Sequence, residues 1–112
     1  MNVLLDHCVP RPLKNHLLDL GAISHTSEAG WGHLTNGELL REAQETFDVF
    51  LTVDKGQRFQ QDISSFAIGL VVVRVFRNSL PEIEKHLPEI RQAILDVQYG
   101  MVILLGEPRL LR

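Results

Sequence analysis

The chain has 112 residues, 45% hydrophobic and 22% charged, with a formal net charge of −3 at pH 7. That length fits one domain, and the charged content is that of a folded globule rather than a disordered chain. The acidic balance argues against broad nucleic-acid binding by charge alone, although a bound metal can supply a positive field locally.

Strand and helix signals alternate from the start. Val3-Leu4-Leu5 reads as a strand buried on both faces, and it runs into Asp6. Pro10 and Pro12 then open a segment with Leu13, Leu17 and Leu20 at helical spacing, stopped by Gly21. Ala22 to Thr26 is a weak second strand, and Gly30-Trp31-Gly32 a loop. Thr35-Asn36-Gly37-Glu38 matches the capping box and starts a helix with Leu39, Leu40, Ala43 and Phe47 on its apolar face. Val49-Phe50-Leu51-Thr52-Val53 is a third strand, running into Asp54. Residues 56–65 are polar and irregular, with room for one helical turn.

Ile68 to Phe76 is a strong fourth strand. Ser79-Leu80-Pro81-Glu82 is a second capping-box match, opening a helix with Ile83, Leu87, Ile90 and Ile94 on one stripe. Pro88 should kink or split that helix near Leu87. Met101 to Leu105 is a fifth strand, with an edge segment possible over 109–112. This order predicts an α/β fold: a mainly parallel sheet of about five strands, helices on both faces, in a single domain over 1–112.

Two strands ending on Asp6 and Asp54 are the main chemical signal. In open parallel sheets ligands gather outside the carboxyl ends of the strands. Two carboxylates there suit Mg²⁺ or Mn²⁺, which can activate water and neutralise a phosphodiester. Either aspartate alone reads as a strand-end cap; the pair in an alternating chain favours the metal. Glu38 and Asn36 read first as capping residues at a helix start, although Asn36 could also orient a carboxylate or a metal-bound water. Lys55, Arg58, Arg11 and Lys14 flank the two aspartates in sequence and read either as contacts to the phosphates on each side of a cut bond or as an ordinary solvated face, with Gln60, Gln61 and Asp62 candidates to line the same edge. Trp31 either stacks a base or pins its loop to the core.

His7 and Cys8 are neighbours on an extended chain, so they point apart and make a poor nucleophilic pair. Cys8 reads instead as a small buried residue. His16, His25, His33 and His86 lack ligand spacing and read as surface or helix-packing residues. As the single cysteine, Cys8 can form no internal disulfide, which suits a reduced cytoplasmic setting. No basic leader or membrane-length apolar run is visible, so no membrane partner is expected.

Four blocks in order carry a family resemblance. Leu4-Leu5-Asp6-His7-Cys8-Val9-Pro10 resembles the opening of a group of short PIN-like proteins. Asn36-Gly37-Glu38-Leu39-Leu40, Leu51-Thr52-Val53-Asp54-Lys55 and Gln60-Gln61-Asp62 resemble its later blocks. The group is identified as PIN-like toxins, often of toxin–antitoxin pairs, related to VapC-like ribonucleases. The resemblance implies a three-layer α/β/α, Rossmann-like PIN fold and an acidic cluster that binds Mg²⁺ or Mn²⁺ to hydrolyse RNA. Carried over, the catalytic and metal-binding acids are Asp6, Glu38 and Asp54. RNA is then the substrate, an antitoxin protein a partner, and a homodimer compatible with the apolar content. His7 and Gly56 stand where many relatives carry further acids, and Asn36 where some have Asp. These departures point to one metal rather than two, or to a module that binds RNA or a protein without turnover.

Overall fold

The computed structural model describes residues 1–53 and 63–106. Five strands form one sheet in the order β2-β1-β3-β4-β5, every neighbouring pair parallel. They are β1 (Asn2–Leu5), β2 (Ala22–His25), β3 (Val49–Val53), β4 (Gly69–Arg74) and β5 (Val102–Gly106). The two central runs read as doubly buried, and they are: every residue of β3 and β4 is buried.

Alternation along each strand divides the core in two. Val3, Leu5, Val49, Leu51, Val53, Val71 and Val73 share one face with Leu13, Leu17, Ile83, Ile90 and Ile94. Leu4, Phe50, Leu70 and Val72 share the other with Leu39, Leu40, Ala43, Phe47, Ile63 and Ile68. Fully burying one such side chain stabilises by about 1.5–3 kcal/mol, so neither face can be left uncovered. Helical segments therefore cover both faces of the sheet.

The segment after β1 differs from its predicted helix. It forms two 3₁₀ turns, Arg11–His16 and Leu18–Leu20, ended by Gly21. Pro10 and Pro12 bracket its first residues, and only Leu13 of the first turn is buried. A short helix absent from the sequence reading, α1 (Thr26–Ala29), follows β2 directly. Its N-cap is the buried His25, whose Nδ1 accepts from the Ser27 N–H at 3.2 Å, while the Glu28 carboxylate accepts the His25 N–H at 2.8 Å. The opposite ring nitrogen donates to the Val9 carbonyl at 2.9 Å.

Helix α2 (Asn36–Ala43) starts on the predicted capping box. The predicted helix after Ser79 is split into α3 (Leu80–Glu84) and α4 (Leu87–Asp96), each with a proline in its first turn. The helix opens after Ser79 as expected and the break falls at Leu87, but Ser79, though in the extended N-cap conformation, makes no side-chain cap. Within the irregular stretch, Ile63–Ser65 is one 3₁₀ turn. The expected segment over 109–112 lies outside the described residues.

The chain leaves β1 towards β2 and later leaves β4 towards β5 in the opposite direction along the sheet. Both connections pack on the same face, where Arg91 of α4 donates to the His16 carbonyl at 2.8 Å. These two crossovers are therefore of opposite hand, whereas connections between parallel strands of one sheet are right-handed in almost every case. No helix among the described residues is long and apolar enough to cross a membrane.

Candidate functional site

The strand order reverses between β1 and β3: β2 lies to one side of β1, and β3 to the other. Such a switch point opens a crevice at the carboxyl ends of the two strands. Asp6 sits there. Its N–H donates to the Leu51 carbonyl at 2.9 Å, which extends the β1–β3 pairing by one residue. Its side chain is completely buried.

A buried carboxylate is costly unless hydrogen bonds replace its water. Here the neighbours supply them. Oδ1 accepts from the His7 N–H at 2.8 Å and from His7 Nδ1 at 3.0 Å. Oδ2 accepts from the Thr52 hydroxyl at 2.7 Å and from the Cys8 thiol at 3.3 Å. A carboxylate only accepts, so the Nδ1 facing it carries the proton. The Cys8 thiol is pushed above its ordinary range, mainly by burial, with the Asp6 charge adding to the effect. That makes Cys8 a donor to Asp6 and a weak nucleophile, although it is half-buried rather than the buried residue expected.

A cavity of about 220 Å³ opens beside Asp6. Its walls are Asp6, His7, Thr26, Trp31, Gly32, Leu34, Asn36 and Leu39. The structure thus brings Asp6 and Asn36 of the predicted site to one cleft. Trp31 meets Phe47 edge to face, with ring centroids 6.0 Å apart, so it both anchors its loop and lines the cleft.

Other predicted site residues stand elsewhere. Glu38 is exposed and not part of the cleft wall. Its carboxylate accepts the Thr35 N–H at 3.0 Å while its own N–H donates to the Thr35 hydroxyl at 3.3 Å. The Thr35 bonds hold the Glu38 carboxyl below the usual glutamate range. Arg11 is also exposed, 4.0 Å from Glu28, which Lys14 approaches at 3.3 Å. Asp54, Lys55, Arg58 and Gln61 lie outside the described residues. Asp54 follows Val53, the last residue of β3.

Thr52 and Thr26 were missed by the sequence reading. Thr52 had a signal: it is the one polar residue in an otherwise apolar strand that leads to an aspartate. Thr26 had none, because its role depends on how α1 folds back beside the cleft.

Oxygen donors at this edge suit a hard divalent cation. The described portion of the site offers the Asp6 carboxylate and the Asn36 amide oxygen. Among the described residues four donors meet the Asp6 carboxylate, two of them on Oδ1, so a cation reaching Oδ1 directly must displace His7 Nδ1. The His7 side chain is 60% exposed, which leaves it room to turn away. The residues fit the group on that condition. Among the described residues no three His, Cys, Asp or Glu side chains converge as a ready metal cluster.

The fold and cleft define an α/β protein with a five-stranded parallel sheet and a buried acid at its switch point. No family model, curated protein or solved structure matches the chain.

Proposed function

We propose that the chain is a PIN-like ribonuclease that hydrolyses RNA phosphodiesters with Mg²⁺ or Mn²⁺, and the toxin of a toxin–antitoxin pair. The observation that carries this reading is the completely buried Asp6 at the switch point, beside a cleft and next to the strand that leads into Asp54. Desolvating a carboxylate at a ligand-binding edge is the kind of expense that chemistry, rather than stability, explains. Asp6 and Asp54 would hold the cation, with Glu38 reaching it through water and Asn36 orienting that water. When bound, the cation supplies a more acidic water and neutralises charge on the phosphate. The chain's own part is to fix Asp6 through Thr52, to exclude water beneath it, and to hold the RNA backbone with Lys55, Arg58, Arg11 and Gln61. An antitoxin or a second copy would meet apolar side chains such as the exposed Leu95, Tyr99 and Met101 beside β5.

One observation favours a second reading, a binding module without turnover. Asp6 is already met by four protein donors, and Glu38 is engaged with its cap. Labelled RNA incubated with Mg²⁺ or Mn²⁺ separates the two. Cleavage by wild type, lost in Asp54→Asn and in Asp6→Asn, establishes the enzyme. Intact RNA in every lane leaves the binding module.

A further inference from the structure

The cleft beside Asp6 is lined by two polar side chains that make no side-chain hydrogen bond among the described residues. Thr26 is 1% exposed, and its Oγ1 is the one buried side-chain oxygen or nitrogen without a hydrogen-bond partner among the described residues. An unsatisfied buried hydroxyl is destabilising, and native structures rarely retain one without reason. The Asn36 amide, on the same wall, makes no side-chain hydrogen bond among the described residues either. Trp31 lines the same cleft and is held against Phe47.

These groups describe a ligand. An indole offers a flat apolar surface for stacking, worth about 1–3 kcal/mol per base in single-stranded nucleic-acid sites. A carboxamide offers a donor and an acceptor side by side, the pairing that base edges match. The volume of about 220 Å³ is below the roughly 300–1,000 Å³ of pockets for drug-sized ligands, so it suits one ring system rather than a whole nucleotide. Leu34 and Leu39 complete the wall with apolar surface, which favours a neutral planar group over a phosphate. Asp6 adds negative charge to the cleft wall, which also disfavours a phosphate inside it.

We infer that this cleft is a nucleobase pocket: one unpaired base of the RNA stacks on Trp31 and hydrogen-bonds to the Asn36 amide and the Thr26 hydroxyl. The inference rests on the ribonuclease reading for its choice of RNA. Base occupancy would seat the adjoining phosphate at the carboxylate edge, and base identity would set which bond is presented. The pocket thus accounts for specificity in a protein too acidic to hold RNA by charge alone.

The test uses nucleosides rather than cleavage. Trp31 is the single tryptophan, so its indole N–H gives one resonance in a ¹⁵N-labelled sample. Adenosine, guanosine, cytidine and uridine are titrated separately, with EDTA present. At least one should shift that resonance saturably, with a dissociation constant on the order of 1 mM, while ribose 5-phosphate does not. Thr26→Val should weaken that binding about fivefold, the usual worth of one neutral hydrogen bond. Asn36→Ala, at an intermediate rather than buried position, gives a second measure and should weaken it at least as much. Absence of a saturable shift with all four nucleosides overturns the inference, as does an equal shift with ribose 5-phosphate, or unchanged affinity in both variants. RNA cleavage without nucleoside binding would remove this pocket and leave the ribonuclease. Nucleoside binding without cleavage would do the reverse.

Discussion

The Thr52 hydroxyl donates to the buried Asp6 carboxylate at 2.7 Å, across the seam where β1 pairs with β3. Both residues are fully buried. Thr52 therefore provides a hydrogen bond to a charged acceptor in a place water does not reach. Replacing Thr52 by Val keeps the shape and removes the donor. The expected loss is about 1.5–3 kcal/mol, the range for hydrogen bonds to charged groups. Thr52→Ser should recover most of it. Urea unfolding at neutral pH measures both, and a loss below about 0.5 kcal/mol in Thr52→Val would show that the other donors suffice.

Cys8 should react slowly. Burial and the Asp6 charge both hold its thiol in the protonated form, and only the thiolate attacks alkylating reagents. At pH 8 its modification by a thiol reagent should run severalfold slower than that of an unfolded control. The rate should keep rising beyond pH 8.5, the ordinary thiol value. A Cys8 as reactive as the control at pH 8 would contradict the geometry.

Asp48 links two distant parts of the chain. It accepts from the Tyr99 hydroxyl at 2.6 Å and from the Asn2 N–H at 2.8 Å. Those bonds, the Tyr99 one foremost, hold its carboxyl below the ordinary aspartate value. A depressed folded value means that the unfolded chain takes up the proton first as pH falls. The stabilisation is therefore complete above about pH 3.9 and lost as pH falls through the folded value. Tyr99→Phe should be modestly less stable than wild type at pH 7, with the difference closing below about pH 4. Urea midpoints measured across that range check the sign.

Glu38 has a structural and a proposed catalytic role, and chemistry can separate them. Glutamine also serves at the third position of a capping box, but it carries no charge. Glu38→Gln should lower the melting temperature slightly, because the depressed carboxyl shows that its charge strengthens the cap, whereas Glu38→Ala should lower it further. If Glu38 orients the proposed cation, both should lower RNA cleavage by about 10–100-fold. Full activity in Glu38→Gln would leave the residue as a cap alone.

Gly21 enters β2 with φ of +151°, and a β-carbon built there would lie 2.1 Å from the Met1 carbonyl oxygen. That oxygen accepts the Ala22 N–H at 3.0 Å and so cannot simply move away. Gly21→Ala should cost about 1–3 kcal/mol or more, read by thermal or urea unfolding.

Much of this architecture is written in residue order. Doubly buried strands come from apolar runs such as Val49–Val53, and the capping box of Thr35 and Glu38 comes from two residue types three positions apart. Both are local rules, so the chain alone displays them. The first helix was misjudged because Leu13, Leu17 and Leu20 satisfy a helical stripe and a pair of 3₁₀ turns almost equally. Helix α1 escaped because its cap is a buried histidine, a choice that depends on the Val9 carbonyl beyond it.

For the candidate site, the sequence by itself determined which acids end strands. It could not say that Asp6 would be fully enclosed, because enclosure depends on Thr52 arriving from β3 and on the turn after β1 folding Cys8 back onto the carboxylate. It could not separate Asn36, which lines the cleft, from Glu38, which turns back to its cap. Tertiary structure decided those matters, since burial and hydrogen bonding depend on which segments meet. The same is true of Thr26, whose unpaired hydroxyl becomes meaningful only once α1 lies beside Trp31 and Asp6.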